Sequence, residues 1–223
     1  MMKLLTITGL SKEWLEGNHG ALDIKVRRGC SVFVNLAGKK EQILSALTDK
    51  DTWCRAEFVF SRPRVVAPYQ IEVYGESADA ILEMVDALWD TEVDSVAFHD
   101  CPGMEQLRFH NVGDFDFSGC ANLEYLDCDG FRGNQLNLTN LSRLKSLRCH
   151  NGQSNTIELS KSPDLIALDL LGCKMKQLKV GNRFTLQELN IDCCEHLNTR
   201  SREWLEAKVE NGVGSNPTED TKH

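Results

Sequence analysis

Apolar residues recur at a fixed spacing through the second half of the chain. Three consecutive segments of 21 residues begin at Leu123, Leu144 and Leu165, a fourth opens at Leu186, and a shortened unit of 19 residues begins at Met104. In the 21-residue units, apolar side chains occupy positions 1, 4 and 6 and again positions 14 and 16. This pattern predicts stacked coils, because one such coil cannot bury its own apolar face.

Positions 4 and 6 alternate as in a β-strand that shows one face to a core, and positions 14 and 16 form a second short extended segment. The residues between the two segments leave no room for a full helix. Val96 and Phe98 match Phe115 and Phe117 of the next unit, which places the start of the array near residue 93. We therefore predict a solenoid over residues 93–197, with a parallel sheet built from one strand per coil.

The pattern L-x-x-L-x-[LC], followed by a second L-x-L, resembles the leucine-rich repeat. Cysteine at position 6 makes the units most similar to the short repeats of bacterial proteins of the Bacteroides and internalin-like types. The resemblance implies an α/β leucine-rich repeat solenoid of about five turns of 19–21 residues. Many such repeats hold an asparagine near position 9, and its absence here predicts a looser turn after the strand. The residues at that position are Phe131, Gly152, Cys173 and Cys194.

Residues 1–76 are predicted to form a small strand-rich α+β domain before the solenoid, because short β-branched segments alternate there with turn residues. A helix is expected near Lys40 to Leu47. The predicted strands are Lys3 to Thr8, Leu22 to Val26, Ser31 to Leu36, Arg55 to Phe60 and Gln70 to Tyr74.

Two amphipathic helices are predicted to cap the solenoid. Over residues 77–92, Ile81, Val85 and Leu88 share one helical face, as expected of an amino-terminal cap. A second helix over residues 198–212 would close the other end. The polar residues 213–223 are predicted to be a disordered tail.

Charge and hydropathy limit the classes of partner. The 223 residues carry 33 acidic and 25 basic side chains, a net charge of -8, which argues against nucleic acid as a partner. No apolar segment is long enough for a membrane span, and the amino terminus is not typical of a secretory signal. We expect a cytoplasmic protein if residue 1 is the native start, and a cell-surface or secreted protein if an export leader was removed.

Nine cysteines are unusual for a chain of this length. Six of them form three pairs at equivalent repeat positions, which predicts compact core residues rather than disulfides. One group of residues could form a zinc site, because three cysteines and a histidine are a ligand set typical of zinc. The usual C-x-x-C spacing is missing from this group. Its members are Cys173, Cys193, Cys194 and His196. We predict no metal and no other cofactor.

Side chains at positions 3, 5 and 7 of each unit are predicted to line the exposed face of the parallel sheet, where neighbouring strands lie about 4.8 Å apart. One interpretation is that charges of alternating sign there only favour register and solubility. Another is that the face binds a ligand, and a narrower variant has His110, Asp129 and His150 binding a divalent metal or responding to pH. The predicted binding residues are Tyr125, Asp127, Asp129, Arg148, His150, Asp169, Arg108 and His110.

The chain contains no phosphate-binding glycine loop, no G-x-S-x-G and no H-E-x-x-H, so we predict that it is not an enzyme. Its expected function is recognition of a protein, or of a carbohydrate, through the exposed sheet face. Two alternatives remain open at this stage: a structural spacer that presents residues 1–76, and an unrecognised thiol-dependent or metal-dependent activity.

Overall fold

Three β-sheets and one helix make up the described part of the chain. The computed structural model describes residues 1–9, 19–36, 41–46, 49–59, 70–87, 93–181 and 185–209. The strands are β1 (Met2–Thr8), β2 (His19–Val26), β3 (Ser31–Leu36), β4 (Glu41–Ser45), β5 (Thr52–Val59), β6 (Gln70–Gly75), β7 (Ile81–Ala87), β8 (Val93–Phe98), β9 (Gln106–Arg108), β10 (Val112–Asp116), β11 (Tyr125–Asp127), β12 (Gln135–Asn137), β13 (Ser146–Arg148), β14 (Thr156–Leu159), β15 (Ala167–Asp169), β16 (Gln177–Val180) and β17 (Glu188–Asn190), followed by helix α1 (Thr199–Glu206).

The repeats form a β-solenoid of about five turns, as the apolar spacing predicts. Strands β9, β11, β13, β15 and β17 pair in parallel, and position 4 of each coil lies beside position 4 of the next. The return segments β12, β14 and β16 form a second parallel stack in the same register. The residues aligned at position 4 are Leu107, Leu126, Leu147, Leu168 and Leu189.

The core of the solenoid includes the residues at positions 1, 4 and 6 together with those at positions 14 and 16 of the return segments. Leu123, Leu144 and Leu165 are at most 1% exposed, and each buried leucine contributes about 1.5–3 kcal/mol of hydrophobic stabilisation. Cys128 and Cys149 are also buried, which confirms that cysteine serves as an apolar core residue at position 6.

The segment predicted as an amino-terminal helical cap is a strand. β7 pairs in parallel with β9, with Met84 beside Leu107, and antiparallel with β2 on its other side. The helix prediction is therefore wrong. The apolar residues of this segment recur with a helical period, but Leu82 and Met84 also face inward as alternate residues of a strand do. Main-chain pairing along both edges favours the strand. Leu88 lies outside the described residues.

The amino-terminal strands β2 and β5 extend the main parallel sheet of the solenoid, and β1, β6, β3 and β4 join β8 and β10 in a sheet that is separate from the stack of β12, β14 and β16. An eight-stranded sheet has the order β17-β15-β13-β11-β9-β7-β2-β5, and a six-stranded sheet has the order β10-β8-β1-β6-β3-β4. The five strands predicted in residues 1–76 are confirmed in their described parts. The helix expected near Lys40 to Leu47 is wrong, because Glu41–Ser45 is strand β4, paired antiparallel with β3. The described chain is strand-rich, so an α/β class is not confirmed.

Helix α1 lies at the carboxyl end of the solenoid. The side chain of Asn198 caps it by accepting a hydrogen bond from the Ser201 amide at 2.9 Å. Leu205 is buried, and Arg202 donates to the carbonyls of Ile191 and Cys194 at 3.2 and 3.1 Å. The described helix agrees with the predicted one over residues 199–206. The rest of that prediction beyond residue 209, and the predicted tail, lie outside the described residues.

The turn after each parallel strand is held by main-chain hydrogen bonds between coils, so the expectation of a looser turn is wrong. The residue at position 8 has a positive φ in every unit, and its amide donates to the position-7 carbonyl of the next coil at 2.8–2.9 Å in four units. Asparagine and glycine are the residues that tolerate this conformation best. The five residues are Asn111 (φ 53°), Gly130 (69°), Asn151 (55°), Gly172 (70°) and Cys193 (58°).

Replacing Cys193 by glycine is expected to stabilise the fold. The left-handed backbone conformation costs a cysteine roughly 1–2 kcal/mol and costs a glycine almost nothing. The greater conformational freedom of glycine in the unfolded chain offsets part of this difference. Because the Cys193 side chain is exposed, little buried area is lost. Urea unfolding should show a gain of about 1 kcal/mol. Cys193→Ser keeps the penalty and is the matched control. Equal unfolding free energies for the two variants would contradict this account.

The cysteines should fall into two classes of thiol reactivity. Six are buried, and burial raises the pKa of Cys101 to about 12 and that of Cys194 to about 11, which leaves almost no thiolate at neutral pH. Titration with a thiol reagent should therefore label Cys193 first and the half-buried Cys30 and Cys54 more slowly. All nine should react after denaturation. Immediate labelling of most thiols in the native protein would show that the core assignment is wrong.

Candidate functional site

The outward face of the eight-stranded sheet carries all eight predicted binding residues. We use this name for the exposed side formed by positions 3, 5 and 7 of the coils together with the residues that continue these rows on β7, β2 and β5. The row at position 5 crosses the whole sheet. In register order it consists of Arg55, Asp23, Val85, Arg108, Asp127, Arg148, Asp169 and Asn190.

The amino-terminal part of the outward face contains residues that are absent from the predicted set. Trp53 is 47% exposed, and with Asp23, Arg55 and Val85 it lines a shallow depression of about 300 Å³. Arg55 contacts Asp23 at 3.5 Å. No signal in the repeat pattern could have found these residues, because the antiparallel strands that carry them do not follow that pattern.

Arg148 lies at the centre of the outward face, between two carboxylates. Its guanidinium nitrogens are 3.8 Å from an Asp127 oxygen and 3.9 Å from an Asp129 oxygen, both too long for hydrogen bonds. The Arg148 side chain is 44% exposed. It therefore offsets part of the negative charge without fixing either carboxylate in place.

His150 links the next pair of coils. Its Nε2 lies 2.6 Å from a carboxylate oxygen of Asp169, and its main-chain amide donates to Asp129 Oδ1 at 2.8 Å. The side chain is only 15% exposed, so this imidazole is held within the face rather than projecting from it.

His110 is held by a carboxylate that the repeat pattern did not identify. Asp86 accepts from His110 Nδ1 at 2.6 Å and from the His110 amide at 3.0 Å. This hydrogen bond raises the pKa of His110, and burial opposes the effect. Asp86 lies beside Phe109, at a position where the other coils carry an apolar residue, and its side chain is buried. The sequence feature that could have identified Asp86 is a polar residue at a repeat position that is otherwise apolar.

Asp127 is the most buried of the predicted binding residues. Its side chain is 6% exposed, and its Oδ1 has no hydrogen-bond partner among the described residues. Burial first, and the neighbouring carboxylate of Asp129 second, raise the pKa of Asp127. The fold therefore holds a carboxylate whose ionised form is poorly compensated.

Tyr125 and Arg108 make the one aromatic contact described within the predicted set. The Arg108 guanidinium lies 5.3 Å from the centre of the Tyr125 ring, within the range of a cation–π interaction. Arg108 is exposed and Tyr125 is half-buried, so both present surface to solvent beside Asp127. These are residue types that often contribute binding energy at interfaces.

One group of side chains has the spacing of metal ligands. Among the described residues, His110, Asp127 and Asp129 form the one such group, with their ligand atoms all within 4.8 Å of one another. The combination predicted from the sequence had His150 in place of Asp127, and the structure instead holds His150 against Asp169.

The cysteine group near the carboxyl end does not converge. The Sγ atoms of Cys173 and Cys194 point to the main-chain oxygens of Cys149 and Leu170 at 2.7 and 3.0 Å, and Cys193 is exposed. Together with His196, these residues do not form a cluster of metal-ligand spacing within the described part of the chain.

Comparison of the chain with models of protein families, with curated proteins and with solved structures gave no match. The architecture therefore defines the class of protein, a β-solenoid repeat protein with antiparallel strands at its amino-terminal end. Within the described residues, no helix is long and apolar enough to cross a membrane.

Asp127→Asn is expected to stabilise the protein at neutral pH. The folded state raises the pKa of Asp127, so it disfavours the ionised carboxylate and loses stability as the pH rises through that folded pKa. A neutral amide removes this cost, and the gain should be on the order of 1 kcal/mol. Thermal unfolding at neutral pH should show a higher Tm, and the gain should shrink at acid pH, where Asp127 is protonated. A loss of stability at neutral pH would show that the ionised carboxylate is well compensated.

Proposed function

We propose that this protein is a non-catalytic binding module of the leucine-rich repeat type, and that it recognises a protein partner through the outward face. The observation that supports the proposal is Asp127, a buried carboxylate on that face with an oxygen that no described group satisfies. A carboxylate in this position costs stability, and packing of the coils requires only the residues that point inward. A ligand that satisfies the free oxygen would supply a reason for the residue.

The surroundings of Asp127 also support recognition. Arg148 is exposed and is not hydrogen-bonded to either neighbouring carboxylate, so it can turn toward a partner by giving up one hydrogen bond, the contact with His150 Nδ1 at 3.3 Å. Arg108 lies on the other side of Asp127, and Tyr125 lies two residues before Asp127 on the same strand. Both are residue types enriched at binding hot spots. Open sheet faces built from short parallel strands also suit carbohydrates, which remain the alternative ligand class.

Two other functions have less support. A spacer that presents a separate amino-terminal domain fits poorly with the eight-stranded sheet, which runs without a break from the amino-terminal strands into the solenoid. A thiol activity fits poorly with cysteines whose pKa is raised by burial, because a thiolate is the reactive form.

The proposal is tested by substitution on the outward face. The immobilised chain is used to capture partners from the native source and to probe a glycan array, and the affinity of each captured molecule is then measured. Arg148→Ala and Tyr125→Ala should each weaken binding by at least about tenfold, the 1.4 kcal/mol that defines an energetically important contact.

The matched control lies on the other parallel stack. Lys179 and Glu158 form an ion pair at 3.3 Å on the return strands, and replacing both by alanine should leave the affinity unchanged. Unchanged binding by the Arg148 and Tyr125 variants, with their melting temperatures preserved, would show that the outward face is not the recognition surface.

A further inference from the structure

A buried carboxylate with an unsatisfied oxygen lies beside a histidine and a second carboxylate on the outward face. The ligand atoms of His110, Asp127 and Asp129 lie within 4.8 Å of one another, which is the spacing of three groups around one ion. They belong to adjacent coils, since Asp127 and Asp129 flank buried Cys128 and His110 follows β9 in the coil before. The register of the solenoid therefore brings them together.

The second observation is the state of Asp127 itself. Its side chain is more than nine-tenths buried, and its Oδ1 has no hydrogen-bond partner in the described part of the protein. The nearest positive group, Arg148, stays 3.8 Å from the opposite oxygen. A buried oxygen of this kind normally requires a proton, a donor or a cation, and none of the described residues donates to it.

The third observation is the way in which His110 is held. Asp86 accepts from Nδ1 at 2.6 Å, so the other ring nitrogen, Nε2, is left to bind a ligand. A carboxylate behind a histidine is the usual support of a metal-binding imidazole, because it fixes the tautomer and the ring orientation. Asp86 is buried and also accepts from the His110 amide, so it holds the ring from within the sheet.

We propose that His110, Asp127 and Asp129 bind one divalent transition-metal cation, with Asp86 as the positioning residue for His110. One imidazole and two carboxylates suit Zn²⁺ or Mn²⁺ better than Mg²⁺ or Ca²⁺, which prefer oxygen ligands alone. Three protein ligands on an exposed face leave a coordination position open to water or to a ligand. The proposal does not depend on a macromolecular partner, and its test uses none.

Arg148 is the local competitor of the cation. Its guanidinium lies 3.8 and 3.9 Å from oxygens of the two carboxylate ligands, so bound metal and guanidinium repel each other. Arg148 is exposed, and its guanidinium is hydrogen-bonded to His150 Nδ1 at 3.3 Å rather than to these oxygens, so it can turn away toward solvent once that one contact is broken. Removing its charge should therefore strengthen cation binding.

The test is titration of the purified full chain with Mn²⁺ near pH 8, because metal ligands bind in their deprotonated form and a higher pH favours that form. The electron paramagnetic resonance signal of free Mn²⁺ reports binding without interference from the thiols, which bind softer metals. We expect one Mn²⁺ per chain, displaced by one equivalent of Zn²⁺. In proton NMR spectra, bound Mn²⁺ should broaden the ring signals of His110, assigned with a His110→Gln variant.

Four variants decide the assignment. Asp127→Asn and His110→Gln should each weaken binding at least tenfold, and Asp86→Asn by about tenfold, the usual effect of removing a group that supports a metal ligand. Arg148→Gln should bind Mn²⁺ more tightly than the unaltered chain. The control is Asp192→Asn, an exposed carboxylate at position 7 of the last unit, which should not change the affinity.

Two results would overturn the proposal. One is the absence of stoichiometric binding of either Mn²⁺ or Zn²⁺ at millimolar concentration. The other is binding that Asp127→Asn leaves unchanged while circular dichroism shows a folded variant, because the ions would then lie elsewhere on the acidic surface.

Discussion

The main-chain register between coils is the constraint on which the rest of the structure depends. Each strand that the repeat array contributes to the eight-stranded sheet is only three residues long, so few hydrogen bonds within one pair define its alignment. The residue at position 8 extends this alignment into the turn, where a positive φ aims its amide at the next coil. The leucines at position 4 and the outward residues at positions 5 and 7 are stacked as a consequence.

A stack of parallel strands also needs an end, because an unpaired strand edge invites association with another chain. At the amino-terminal end, the antiparallel strands β2 and β5 extend the main parallel sheet, and β1, β6, β3 and β4 continue the sheet of β8 and β10. The two outer edges are linked by the Gln42 side chain, which both donates to and accepts from the main chain of Glu57. At the other end, Arg202 of α1 occupies carbonyls that a further coil would have used.

The sequence was sufficient to predict the repeat, because leucine spacing and the coil geometry express the same period. It was also sufficient to place all eight predicted binding residues on one face, since residues alternate in and out along a strand. The sequence was not sufficient to predict strand β7, because the spacing of Ile81 and Val85 also fits one face of a helix. Only the pairing with β2 and β9 distinguishes the two structures. The turn conformation at position 8 could have been predicted from the sequence. Asn111 and Asn151 alternate there with glycine, and these are the residue types that a positive φ favours.

The candidate site lies where the repeat departs from its own rules. Position 6 is apolar in the coils from Phe109 onward, whereas the equivalent residue of β7 is Asp86, a buried carboxylate. A polar residue in an apolar slot weakens the stack unless it has a partner, and His110 supplies that partner from the next coil. A ring nitrogen of His110 also lies within 4.8 Å of carboxylate oxygens of Asp127 and Asp129, and Asp127 has an oxygen without a hydrogen-bond partner among the described residues. Two costs to stability thus meet across three adjacent strands, and packing of the solenoid accounts for neither of them. The metal binding that we propose would account for both, because one bound cation would compensate Asp127 and Asp129 and engage the imidazole that Asp86 holds.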